Sequence, residues 1–313
     1  MPEGERVLKY FKTFFLLILF LFQIFFTGVR ASADTNSTPA LTPGNFTCFK
    51  ISPEILKDFV KKVNSDLKGR VPESYIKKIF FSERLCYFPQ VMIKWLTWKE
   101  KELPYYQFLE PDRIKRAREF MKEHITLLSS LEKKFGVEKE VLTAIFLVET
   151  DLGNKTGKYP VFDVLFSMAV SGNKTLFSKF AKKFNFKLTS SDLKKLEFRS
   201  RWAYKELLSF IKILYKNRWN IFEVKGSIFG AFGYPQFVPR SYLIYGYDWD
   251  KDGIIDLYTV DDALASIANY LKKEGYKKSL PFSEKKRIIM KYNISEPYAE
   301  TVLKIAKILK EKG

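Results

Sequence analysis

Histidine is nearly absent: the chain has one, His124, in a charged helical stretch that reads as surface. Nucleophilic triads that rely on an imidazole base therefore lack their base. Cysteine is almost as scarce, with only Cys48 and Cys86. There is no zinc-finger spacing and no RNP-like aromatic signature, so the basic chain carries none of the usual marks of a nucleic-acid binder. Clean alternation of apolar and polar residues, the mark of half-buried strands, is almost missing. No internal repeat is visible. Long apolar runs are missing too: the clearest, Phe14 to Phe26, is about 13 residues, short of the roughly 20 that span a bilayer as a helix.

That short run lies in a recognisable setting. Arg6, Lys9 and Lys12 precede it and Ala31-Ser32-Ala33 follows it, the order of a secretory signal peptide cleaved near Ala33. The alternative is an uncleaved membrane anchor. No cysteine follows closely, so no lipoprotein signal is present. Export implies an oxidising compartment, where a cysteine pair favours one disulfide, Cys48–Cys86, over two buried thiols. The formal charge is +19. Removing the leader's four basic and two acidic residues leaves +17. An exported protein so charged meets anionic polymers or lipid surfaces, although much of the charge is a solvated lysine-rich surface. Of the residues, 17% are aromatic and 30 are Phe. Some of these rings must form core, and others could stack on sugars.

Along the chain, residues 34–47 are rich in Thr, Ser, Asn, Pro and Gly and read as a linker. Helical periodicity begins at Ser52-Pro53-Glu54. A helix of about six turns is expected from Pro111 to Gly136, with Ile114, Ala117, Phe120, Met121, Ile125, Leu128 and Leu131 on one side. Another is expected from about Glu138 to Thr150, apolar nearly all round and so buried. Further helices are expected over residues 197–215, over Asp262 to Lys273 and over Pro297 to Lys310. The fold class is mainly α. The expected division is a leader (1–33), a linker (34–47), a helical N-terminal subdomain (48–136), a catalytic domain (137–275) and a C-terminal helical segment (276–313).

The residue most charged with chemical meaning is Glu149. It closes the apolar run Val141 to Val148, and Gly153 soon breaks the helix. Apolar burial and the negative end of the helix dipole both favour the protonated form. A carboxylic acid that holds its proton near neutral pH can pass it to a leaving oxygen, as cleavage of a glycosidic bond requires. An ordinary glutamate at a helix end is the plain alternative.

The neighbouring residues decide between them. Val148-Glu149-Thr150-Asp151-Leu152-Gly153, with Gly157-Lys158 and Phe162-Asp163, forms a first block. Gly226-Ser227, Gly230-Ala231, Gly233-Tyr234, Gln236-Phe237, Pro239 and Ser241-Tyr242 form a second. Asp252-Gly253, Asp262-Ala263 and Ala268-Asn269-Tyr270 form a third. In order and spacing these blocks resemble the membrane-bound lytic transglycosylase B family. The resemblance runs from about Asp58 to Lys273, and more weakly to Tyr292-Asn293. It implies a lysozyme-like catalytic domain that cleaves the β-1,4 bond between N-acetylmuramic acid and N-acetylglucosamine in peptidoglycan. The product carries a 1,6-anhydro ring, and the reaction makes the protein a lyase. Glu149 would be the single acid/base, and Ser227, Gln236, Phe237, Tyr270, Tyr292 and Asn293 would serve the glycan site. Ser227 is expected to hydrogen-bond the sugar's acetamido group or Glu149. Asp151 and Asp163 are expected to be structural, as a helix-end residue and a helix cap.

Asp248, Asp250 and Asp252 with Gly253 form the first half of an EF-hand-like calcium loop. Position twelve is Thr259 rather than an acid, but the family has an extended loop. Asp262 would close it, and Ile254 would offer its backbone carbonyl. The implied ion is a structural Ca2+; no organic cofactor is expected. The chain departs from the family at Pro235, where glycine is common, and in the short stretch between Gly275 and Tyr292. The competing readings are a hydrolytic muramidase and a non-catalytic cell-wall binding protein. The expected setting is the periplasm, with membrane association left open, for a monomer whose partners are glycan strands and other cell-wall enzymes, and no nucleic acid.

Overall fold

The computed structural model describes residues 46–98 and 104–311. The leader (1–33) and all but the last two residues of the linker lie outside the described residues. The described chain forms two compact units, each built from two separate stretches: 46–98 with 157–231, and 104–156 with 232–311. This division by packing differs from the linear scheme of 48–136, 137–275 and 276–313. Helices dominate both units.

The first unit holds α1 (Pro53–Leu67), α2 (Glu73–Phe80), α3 (Pro89–Leu96), α7 (Val161–Val170), α8 (Lys174–Lys183) and α9 (Ser190–Asn217). Ser52 caps α1 by accepting a hydrogen bond from the Ile55 amide. α9 is longer than its apolar pattern predicts. Thr189 and Asp192 form a capping box that starts it earlier, because each side chain satisfies a backbone amide of the other. α7 is buried along its whole length and packs against α3 and α9. A two-stranded antiparallel ribbon, β1 (Tyr159–Pro160) with β2 (Lys225–Gly226), lies beside α7. The approach there is so close that a Cβ on Gly157 (φ +95°) would meet the carbonyl oxygen of Gly226. Cys48 and Cys86 are joined by a disulfide. It ties the first described residues to the segment before α3.

The second unit holds α4 (Pro111–Glu123), α5 (Ile125–Phe135), α6 (Lys139–Thr150), α10 (Pro239–Tyr245), α11 (Val260–Lys273), α12 (Phe282–Tyr292) and α13 (Glu296–Glu311). The six-turn helix expected over 111–136 is two helices, broken at His124 (φ −103°, ψ 23°). The break lets each half bury its apolar face on α6 and on a second partner of its own. α4 packs on α6 and α13, and α5 on α6 and α11. α6 runs through the middle of this unit, with every residue from Glu140 to Thr150 buried. α12 carries no clear signal in the sequence. Among the described residues no helix is long and apolar enough to cross a membrane.

Candidate active site

α6 ends at Thr150, and its last turn carries Glu149. Asp151 and Leu152 both take left-handed backbone conformations, and Gly153 follows at φ +88°. Two non-glycine residues in succession at positive φ are uncommon and mark a constrained turn. The Asp151 amide closes the helix on Leu147 O, and the Leu152 amide on Phe146 O. The ring of Tyr234 lies against Gly153, where a Cβ would sit 3.3 Å from it. The Thr150 hydroxyl donates to Tyr234 O at 3.3 Å.

Glu149 is 5% exposed. The hydroxyl of Tyr298, on the first turn of α13, donates to its Oε1 at 2.5 Å. Tyr298 is fully buried. Burial, and then the negative charge of Glu149, push its hydroxyl well above the usual tyrosine range. The same two causes, in the same order, act on Tyr292. Both phenols therefore stay protonated and act as donors. Tyr298 packs edge-on against Tyr105 at 5.8 Å between ring centres. The Asn293 side-chain amide donates to the Tyr105 hydroxyl at 3.5 Å.

The other residues expected to serve the site fall into three arrangements. Gln236 takes a left-handed turn (φ 48°), and its side-chain amide donates to Gly233 O at 2.7 Å and Thr156 O at 3.0 Å. It clamps the turn that Pro235 enters. The Tyr292 hydroxyl donates to Pro235 O at 2.6 Å, which holds the same turn from another side. Phe237, Tyr270 and Tyr292 form one buried aromatic cluster, with ring centres 4.8 to 6.0 Å apart. These rings spend their faces on one another, and Asn293 is fully buried. Ser227 belongs to the first unit. Its hydroxyl oxygen accepts the amides of Phe229 at 3.3 Å and Ala231 at 3.1 Å, so its proton is available for donation.

The two neighbouring carboxylates are engaged. Asp151 is ion-paired with Arg116 at 2.5 Å and lies 3.7 Å from Lys155. Asp163, in the first turn of α7, accepts the Cys86 amide at 3.3 Å. Burial pushes its carboxyl up to about 7, against the pull of that amide and of the Lys50 and Arg84 charges.

Asp248, Asp250 and Asp262 bring carboxylate oxygens within 4.8 Å of one another. Asp262 is buried, and its two oxygens accept the amides of Trp249 at 2.7 Å and Asp256 at 2.8 Å. Burial raises its carboxyl above the usual range, and the charges of Asp250 and Asp248 add to that. Asp252 lies outside this trio and accepts the Ile254 amide at 2.7 Å.

The profile of the family described as Transglycosylase SLT domain matches residues 87–287, more than half of the chain. The chain belongs to this family. The match takes in Glu149, Ser227, Gln236, Phe237, Tyr270 and the acidic loop; Tyr292, Asn293 and Tyr298 lie beyond it. A curated relative, membrane-bound lytic murein transglycosylase B of Escherichia coli (strain K12), is 29% identical over 184 residues, 59% of this chain and 43% of the relative. The aligned stretch thus spans under half the length of that protein.

Solved structures share the fold. SltB3 from Pseudomonas aeruginosa, determined in complex with NAG-NAM-pentapeptide, is 21% identical with a TM-score of 0.66, covering 82% of this chain and 80% of that one. The Escherichia coli lytic transglycosylase Slt35, determined in complex with calcium, is 20% identical with a TM-score of 0.63, covering 82% and 93%. The fold is therefore mainly α with a lysozyme-like catalytic domain, as the sequence blocks imply. Sequence reasoning missed Tyr298, Tyr105 and Arg116. The contact of Tyr298 with Glu149 spans 149 residues, and no local pattern announces it.

Proposed function

We propose that the protein is a peptidoglycan lytic transglycosylase. It cleaves the β-1,4 bond between N-acetylmuramic acid and N-acetylglucosamine and leaves 1,6-anhydromuramic acid, with Glu149 as its single acid/base. The observation that carries this reading is the buried Glu149 carboxyl, held by the Tyr298 hydroxyl at 2.5 Å. Asp151 is committed to Arg116 and cannot act beside it as a free nucleophile.

The chemistry needs only one carboxyl. With Oε1 accepting from Tyr298, the acid form carries its proton on Oε2. Glu149 gives that proton to the bridging oxygen as the bond to the anomeric carbon breaks. The acetamido oxygen of the same sugar attacks the anomeric carbon and takes the place of an enzyme nucleophile. Glu149, now a carboxylate that accepts from Tyr298, removes the proton of the sugar's 6-hydroxyl. The 6-oxygen then bonds to the anomeric carbon, and the acetamido oxygen departs. General acid–base help of this kind is worth on the order of 10²- to 10⁴-fold.

Ser227, with its proton free to donate, is assigned to the acetamido group or to Glu149. Gln236 and Phe237 are assigned to the glycan-binding turn. Tyr270, Tyr292 and Asn293 serve it as buried supports, through the aromatic cluster and the bonds to Pro235 O and Tyr105.

The acidic loop is assigned to a structural Ca2+, which supplies charge neutralisation and no chemistry. The residues fit such an ion: three carboxylates converge, and like-charge repulsion on buried Asp262 is what a cation relieves. Asp248, Asp250 and Asp262 would hold it, with Asp252 and the Ile254 carbonyl as further ligands. The leader directs the protein to the periplasm, where peptidoglycan strands are its partner.

The test is mass spectrometry of muropeptides released from purified peptidoglycan by the wild type and by Glu149→Gln. Products one water lighter than hydrolysed ones, absent with the variant, are expected. Fully hydrated reducing ends would make the protein a muramidase instead.

A further inference from the structure

The unit built from residues 46–98 and 157–231 contains a cleft of about 570 Å³ that shares no residue with the Glu149 site. It lies where α1 ends, α2 begins and α9 passes, and its lining includes Asn64, Lys68, Arg70, Glu73 and Tyr215. Gly69 (φ +75°) makes the turn after α1, which sets Lys68 and Arg70 on either side of it. Both are exposed. Among the described residues neither forms an ion pair. Glu73, the acid in the lining, is taken by Lys77 at 2.7 Å.

Lys212, on α9 three residues before Tyr215, is held below the usual lysine range by burial and then by the charge of Arg70. The C-terminus of α1 accounts for a cation at Lys68. It does not account for Arg70, which lies past the Lys68 cap and forms no ion pair among the described residues.

Neutral groups add shape to this charge. Asn64, in the lining, holds its Oδ1 buried without a hydrogen-bond partner, a costly state that a bound ligand would relieve. The Tyr75 ring lies 5.2 Å from that of Tyr215, and Tyr215 is 41% exposed.

We propose that this cleft binds the carboxylate-bearing peptides of peptidoglycan and anchors the enzyme on its polymer away from the cleavage chemistry. The inference rests on the reading of the chain as a cell-wall enzyme. Lys68 and Arg70 pair with a peptide carboxylate. Asn64 Oδ1 accepts a peptide N–H, and the Tyr215 ring covers an alkyl side chain. A bare phosphate would satisfy the cations but offers no N–H to the Asn64 oxygen.

The test is co-sedimentation with intact peptidoglycan sacculi, using the full chain carrying Glu149→Gln so that nothing is cut. Adding Lys68→Gln with Arg70→Gln is expected to weaken binding about fivefold at low salt, the scale of two partly screened ion pairs. Tyr215→Ala, which changes no charge, is expected to weaken it as well. A control pair elsewhere on α9, Lys194→Gln with Lys195→Gln, is expected to leave binding unchanged. On sacculi whose carboxylates have been amidated, the cleft variant and its parent should bind alike.

Equal binding by the cleft variant and its parent on native sacculi would overturn the proposal. So would an equal loss from the control pair, or a loss seen only on phosphatidylglycerol vesicles, which would assign the cleft to lipid headgroups. Failure of the wild type to release anhydro products would overturn the cleavage reading and leave this binding measurement standing.

Discussion

Tyr298→Phe separates the role of Tyr298 from mere packing. The substitution removes one atom. The ring that packs on Tyr105 at 5.8 Å remains, and the donor 2.5 Å from Glu149 Oε1 is lost. Hydrogen bonds to charged groups are worth about 1.5–3 kcal/mol. If that is felt in full as the carboxylate forms, kcat falls by about ten- to 150-fold. KM should hardly move, because Tyr298 is fully buried and has no surface for substrate. The sign of the pH effect follows from the same bond. A donor favours the ionised carboxylate, so without it Glu149 keeps its proton to higher pH. The alkaline limb of the rate profile then moves upward. The assay is release of anhydro-muropeptides, with kcat and KM fitted across pH. Thermal unfolding should show Tm lowered by no more than a few degrees. An unchanged kcat with an unmoved alkaline limb would refute the reasoning.

Asp163→Asn should raise stability at alkaline pH and change little in acid. Its folded value of about 7 lies above the ordinary 3.8, so its contribution is complete below about 3.8 and is lost as pH rises to about 7, on the order of 4 kcal/mol in all. Tm of the variant minus that of the wild type, followed from pH 5 to 8, should grow with pH; a flat difference contradicts this. Replacing Cys48 and Cys86 together by Ser opens a cross-link with a sequence separation of 38 and should cost about 4 kcal/mol on the chain-entropy account, measured by urea unfolding. Adding Ca2+ should raise Tm and a chelator should lower it, with Asp262→Asn abolishing the response. A Tm indifferent to both would remove the ion from the acidic loop.

Much of the fold is legible in the sequence because a helix is a local object. The apolar run ending at Glu149 demanded a buried helix, and α6 is buried from Glu140 to Thr150. The ordered blocks around Glu149, Ser227 and Asp262 carry the family and, through it, the lysozyme-like fold, because they hold turn glycines and polar groups at set spacing. The break at His124 was not legible, since the apolar residues on both sides keep one helical spacing and only their different packing partners divide them. α12 left no trace, because a short helix with three buried residues, Ile288, Ile289 and Tyr292, shows too little periodicity.

By itself the sequence determined the helical class and the family, and it singled out Glu149 as the proposed acid, since each is written in residues close together along the chain. The tertiary structure alone decided what holds that acid. Tyr298, Tyr105 and Asn293 reach the end of α6 from distant stretches of the chain. It also turned Phe237, Tyr270 and Tyr292 from three separate aromatic positions into one buried cluster, and committed Asp151 to Arg116. Contacts across such separations arise from how amphipathic faces pack together, and no local pattern of residues encodes which distant face arrives.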